Sequence, residues 1–218
     1  TTEFEKGVGT GGYMLVSFEP GVRSLTKRNP NYWKEGRAHF DEVETIGIND
    51  VNARTNAVKT GQIDVMTRCD VKTLHLLAKA PGIQVVETNG TKHYTIPMQT
   101  DISPYDNNDV RLALKYGIDR EQMLKTILRG RGLVGNDHPI SPANRYYASE
   151  LLQREYDPDK AKFHLKKAGI TDHTFKLHTA DAAFPGAVDV AILYKEQAAK
   201  AGIKIEVVRE PMDGYWDD

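Results

Sequence analysis

"FKLHTADAAFPGAVDVAILYKEQAAKAGIKIEVV", residues 175–208, decides the fold class. Its two ends, FKLHT (175–179) and IKIEVV (203–208), read as strands, and a helix is expected between them from about Ala187 to Ala201. A strand that returns through a helical crossover lies parallel to its partner in one sheet. The chain is therefore read as α/β.

Working backwards, "YDPDKAKFHLKKAG" (156–169) carries Asp157 as a cap, Pro158 at the first helical position and Gly169 past the end, the pattern of a complete helix. "PYDNNDVRLALKYGIDREQMLKTILRGRG" (104–132) reads as two helices broken near Gly117, the second capped by Asp119. Val110, Leu114, Met123, Ile127 and Leu128 are their inward positions. Residues 130–156 have no period, which in a compact domain marks a functional loop or an unrecognised element.

The N-terminal part is built differently. Residues 12–28 hold YMLVSF and VRSLTKR around Pro20-Gly21, a β-hairpin pattern, and FDEVETIGI (40–48) alternates like a third strand. "NDVNARTNAVKTG" (49–61) predicts a helix capped by Asn49 or Asp50 and stopped at Gly61. "DVKTLHLLAKAPG" (70–82) predicts another, capped by Asp70 and ended by Pro81-Gly82. QIDVM (62–66), IQVVET (83–88) and HYTIPMQ (93–99) are expected to be short strands. From Ser103 the character changes, and the chain is read as two parts that meet near His93 to Gln99.

Composition excludes some classes. The 29 Lys and Arg nearly balance the 30 Asp and Glu, so no net field favours nucleic acid or an anionic membrane. The basic residues are scattered and not interleaved with aromatics, which gives a nucleic-acid groove little support. The 39% hydrophobic content fits a globular domain, and no apolar run approaches a membrane span. The single Cys69 excludes an intramolecular disulfide and is expected to be buried and inert.

Candidate chemistry is sparse. "GVGTGG" matches G-x-G-x-x-G through Gly7, Gly9 and Gly12, but it precedes a strand and no helix follows, so a tight turn accounts for it better than a nucleotide site. The seven histidines form no H-x-x-x-H or H-E-x-x-H pattern, and no metal site or cofactor is expected. His138, beside Asp137 in the long loop, is the histidine of interest. No nucleophile elbow, Ser-x-x-Lys or Cys–His grouping appears, and the carboxylate pairs 157/159 and 217/218 fit helix capping and chain-end exposure. Nothing assembles a catalytic site, so an enzyme is not expected.

Six stretches in order resemble the solute-binding proteins of ABC importers, in the dipeptide/oligopeptide/nickel-binding family (family 5). They are GTGGYMLVSFEPG (9–21), RNPNYW (28–33), AVKTGQIDV (57–65), SPYDNNDVRLALKYGIDRE (103–121), YDPDKAKFHLKKAG (156–169) and AAKAGIKIEV (198–207). The family usually has Pro where Gly12 stands and Glu where Gln62 stands.

The resemblance implies a periplasmic-binding-protein-like (type II) α/β architecture in which two lobes close over a ligand. Residues 1–92 would be the middle of the first lobe and 93–218 the beginning of the second, so the chain looks like an internal fragment. It also implies capture of a small solute, taken here as a di- or oligopeptide, for delivery to the transmembrane subunits of an ABC permease. The location would be periplasmic or extracytoplasmic, with membrane contact only through the permease. The alternatives are nickel, an opine or another non-peptide solute in the same fold, and a receptor-coupled sensing module. In peptide-binding members an acidic residue pairs with the ligand's α-amino group downstream of the segment matching PMDGYW (211–216), and no counterpart can be assigned here.

Ligands of α/β folds sit at the carboxyl ends of strands. On that ground Tyr94, Met98, Gln99, His138, Thr179, Asp181 and Phe184 are the candidate ligand-binding residues. Ordinary packing for the aromatics and Met98, and helix capping for Asp181, are the competing readings. Tyr32 and Trp33, in "KRNPNYWKEG" (27–36), are expected to plug the first lobe's core rather than to read a ligand.

Overall fold

A computed structural model describes residues 9–88, 90–142, 144–213, 215 and 216. Gly7 of the GVGTGG stretch and the pair Asp217/Asp218 lie outside the described residues. The chain divides into two compact units, 1–69 and 70–218.

In the first unit, β1 (Tyr13–Glu19), β2 (Arg23–Arg28) and β3 (Glu42–Ile46) form an antiparallel sheet in the order β1-β2-β3. The β1–β2 register runs from Tyr13 opposite Arg28 to Glu19 opposite Arg23, with an irregularity between Leu15 and Ser17. Gly21 turns the hairpin at φ +74°, a conformation that favours glycine. Gly47 is required for closeness: a Cβ there would lie 2.6 Å from the Gly21 carbonyl oxygen. Helix α1 (Val51–Lys59) follows, with Asp50 accepting the Ala53 N–H at 2.7 Å and so satisfying one free end donor.

The loop between β2 and β3 is held by its polar residues. Arg28 donates to the His39 carbonyl at 2.7 Å and to Phe40's at 3.3 Å, and pairs with Asp41. Asn29 donates to the Gly11 carbonyl and accepts the Asn31 N–H. Tyr32 is half-buried, and a Cβ on Gly12 would meet its ring at 3.2 Å. Trp33 overturns the plug expectation. It is 70% exposed, edge-on to Tyr32 and beneath the Lys34 ammonium.

The second unit holds α2 (Leu74–Leu77), α3 (Asn108–Tyr116), α4 (Arg120–Thr126), α5 (Pro158–Lys167), β4 (Thr174–Thr179), α6 (Ala187–Ala199) and β5 (Lys204–Arg209). The crossover is as expected: β4 and β5 pair in parallel, Phe175 opposite Ile205 and Thr179 opposite Arg209. Alternation along β4 buries Phe175 and Thr179 on one face. Phe175 joins the core with Val110, Ala113 and Leu114 of α3, Ala161 of α5, Tyr194 and Ala198 of α6, and Ile203 and Ile205. Asp119 and Asp157 cap α4 and α5 as read from sequence, while Asn107 caps α3.

Several expectations need correction. Residues 62–66, 83–88 and 93–99 form no strand, because among the described residues they have no neighbouring strand to complete a hydrogen-bonded ladder. The helix expected from Asp70 shrinks to one turn, α2. Asp70 instead accepts the Lys72 N–H in a local turn, while Leu74 and Leu77 keep their burial. Cys69 is half-buried. Within the second unit, Lys72 pairs with Asp189 and Glu87 with Arg131.

Candidate functional site

The carboxyl end of β4 opens into the turn 180–186, which feeds α6 from Gly186 at φ +86°. The turn begins buried, at Thr179 and Ala180, and Thr179's carbonyl accepts the Glu210 N–H at 2.9 Å, locking the end of β4 to the segment after β5. Asp181 lies exposed at the bend, its carboxylate 3.5 Å from the Val188 N–H in the first turn of α6. The capping reading of Asp181 is therefore satisfied, at the long limit for a hydrogen bond.

Phe184, half-buried in the same turn, stacks on Tyr94, with ring centroids 4.1 Å apart and planes at 16°. This pairing joins residues far apart in sequence. Tyr94 keeps 40% of its surface exposed, and the Lys92 ammonium lies 5.3 Å from its ring centre. An aromatic face under a cation is worth on the order of 0.5–1 kcal/mol at an exposed site, so it contributes little to the fold.

The electrostatics are acidic with one tethered cation. Lys72 donates to Asp189 of α6 at 2.5 Å. That hydrogen bond, more than the charges of Asp189, Asp70 and Asp181, raises the Lys72 ammonium above its ordinary value against partial desolvation. Lys72 thus stays charged, with Asp181 within its field. Across the strand ends, His178 Nδ1 lies 2.6 Å from Glu210.

Of the seven residues proposed from sequence, the structure brings Tyr94 and Phe184 into contact and places Thr179 and Asp181 on the same turn. Met98 is half-buried against the unit's core. Gln99 is exposed, its carbonyl accepting the Ile102 N–H. His138 lies in the long loop with its Nε2 3.2 Å from the Leu152 carbonyl. Lys72, Lys92, Asp189 and Glu210 were not singled out by sequence reasoning. Only Lys92 had a usable signal, its place two residues before Tyr94.

The arrangement offers a flat aromatic face, the carboxylates of Asp181, Asp189 and Glu210, and the ammonium groups of Lys72 and Lys92, which suits non-covalent binding. Among the described residues no serine or cysteine side chain is hydrogen-bonded to a histidine, and no three His, Cys, Asp or Glu side chains converge as a metal site.

Residues 1–218 match the model of the bacterial extracellular solute-binding proteins, family 5 middle region. The chain belongs to this family. The family 5 chain is 29% identical over 216 residues to heme-binding protein A of Haemophilus influenzae, covering 97% of itself and 38% of that protein. It is 28% identical over 200 residues to the glutathione-binding protein GsiB of Salmonella choleraesuis, covering 92% of itself and 39% of that relative. The family 5 chain therefore spans well under half the length of these relatives.

Solved structures agree on the fold. The periplasmic binding protein DppA of Helicobacter pylori, in complex with the peptide STSA, superposes with a TM-score of 0.75 at 25% identity, over 95% of this chain and 40% of that one. NikZ of Campylobacter jejuni, in complex with Ni(L-His), gives 0.81 at 22% identity, over 98% of this chain and 45% of that one. The family 5 chain thus has part of the α/β fold of periplasmic binding proteins. No helix of its described residues is long and apolar enough to cross a membrane.

Proposed function

We propose that this chain is the middle portion of the substrate-binding component of an ABC importer, and that the whole protein captures a di- or oligopeptide and delivers it to a membrane permease. The observation that carries this reading is the family match over all 218 residues. The peptide class is favoured by DppA with its bound peptide at 25% identity, by a di/tripeptide-binding protein of Pseudomonas aeruginosa at 25%, and by the glutathione binders, since glutathione is itself a tripeptide. The role is binding without chemistry, and the location is extracytoplasmic.

Within this reading the lobe junction falls at residues 92–93. Tyr94, Phe184 and Asp181 face the ligand beside Thr179, whose backbone anchors the turn, with Met98, Gln99 and His138 as further lining. The Tyr94–Phe184 face supports a ligand's apolar body. Extended peptides are held through main-chain hydrogen bonds that tolerate varied side chains.

Heme-binding protein A supports a second reading, in which the solute is heme. Calorimetric titration of the intact protein separates the readings, using a mixed peptide library, glutathione, hemin and nickel–histidine. Saturable binding of peptides supports the proposal. Binding of hemin or nickel–histidine with no peptide binding rejects it.

A further inference from the structure

Residues 136–154 lie within the stretch that lacks any helix or strand among its described positions. Burial does not hold this segment: Ile140, Leu151 and Leu152 are exposed, and Tyr146 is 69% exposed. Its order comes from polar links at a neck where residues 136–138 meet 152–154. Asn136 Nδ2 donates to Gln153 Oε1 at 3.0 Å, Arg154 donates to Asp137 Oδ2 at 2.6 Å, and His138 Nε2 lies 3.2 Å from the Leu152 carbonyl. Loops with ends closed in this way form compact surface units.

Asp137 is the centre of the neck. Its other oxygen accepts from Arg120 of α4 at 2.6 Å, and Lys115 of α3 lies 3.9 Å away. The side chains of Asp137, Arg120 and Arg154 are only 16%, 16% and 17% exposed, so solvent and salt screen these pairs less than surface ones. Asn136 and Asp137 both hold positive φ, at 47° and 67°, a region that Asn and Asp tolerate better than other side-chain-bearing residues. Opposing closure, Asn136 Oδ1 and Arg154 Nε are buried with no partner among the described residues. Strong attraction and stranded polar groups sit side by side.

We propose that the described residues of 136–154 form a strap, closed by the clasp of Asp137 on Arg120 and Arg154, whose internal turns come apart together when that clasp is broken. Opening is local because the exposed apolar side chains of the strap contribute nothing to the core. The proposal stands on the clasp geometry and not on the solute-binding reading.

Hydrogen exchange of the intact protein, read by mass spectrometry, tests it. The strap amides to follow are those of Asn144, Tyr147 and Leu151, which donate to carbonyls inside the strap. In Asp137→Asn these should exchange about tenfold faster or more, while amides of α3, α6, β4 and β5 keep their wild-type rates. Arg154→Met removes the other side of the clasp and should give the same pattern; it decides alone if Asp137→Asn does not fold. Unchanged strap exchange overturns the proposal, and so does a parallel rise in strap and core.

Discussion

Replacing Gln197 by Leu should destabilise the second unit by about 3 kcal/mol, through hydrogen bonds and not through a cavity. Gln197 is 2% exposed on α6. Its Oε1 accepts the Asp119 N–H at 2.9 Å, and its Nε2 donates to the Asp119 carbonyl at 3.2 Å and to Gln122 Oε1 at 2.9 Å. One amide thus satisfies both backbone groups of the residue that caps α4. Leucine fills nearly the same volume but strands the Asp119 N–H, while the Asp119 carbonyl keeps the Met123 N–H at 3.1 Å. A buried polar group left unpaired costs about 1–3 kcal/mol and each further hydrogen bond lost about 0.5–1.5 kcal/mol, so one stranded N–H and two lost bonds give about 3 kcal/mol. For a chain of this size each kcal/mol moves the thermal midpoint by about 2–4 °C, so the midpoint should fall by about 6–12 °C. Thermal melts with urea titrations measure it, and an unchanged urea slope shows that the denatured state is not the cause. A fall under about 2 °C would refute the claim that this amide carries the α4–α6 junction.

Three further outcomes follow from the structure. Trp33→Ala should cost less than about 1 kcal/mol, because the exposed ring leaves no cavity; a loss near the 3 kcal/mol of a buried aromatic would contradict its placement. Hydrogen bonds from His164 and then Lys167 hold the Asp109 carboxyl below the usual carboxylate range. A depressed folded value means that this contribution is complete above the unfolded value near pH 4 and is lost as pH falls through the lower folded value; Asp109→Asn should therefore flatten stability against pH below about pH 4 and leave the alkaline side unchanged. Tyr94→Ala should weaken peptide binding about tenfold with little change in thermal midpoint, whereas Met98→Ala should lower the midpoint; the reverse pattern would exchange their roles.

What was legible in the sequence follows a physical line. Helix α5 was readable because its start and stop chemistry is local: Asp157 accepts the Lys160 N–H, Pro158 needs no donor, and Gly169 takes φ +74°. The β4–α6–β5 crossover was readable because alternation and helical length are also local signals. Strand status for 62–66, 83–88 and 93–99 was misjudged because a strand is defined by a partner, which no local pattern supplies. Gln197 and Asp137 were not picked out because a polar residue in a helix or loop looks solvated until its distant partners are known. The contact of Tyr94 with Phe184 is of the same kind: both residues were named, but nothing local announces that their rings stack.

Trp33 shows the opposite failure. The rings of RNPNYW are expected from sequence to plug the core, yet the hydrogen bonds that hold the loop come from Arg28 and Asn29. Arg28→Ala is therefore the substitution that should loosen the β2–β3 connection.

Calorimetric titration of the intact protein with short peptides, alongside hemin and nickel–histidine, decides whether peptide is the solute. One saturable peptide site, weakened when Tyr94 is replaced, is the expected result. Binding of hemin or nickel–histidine with no response to any peptide would contradict it.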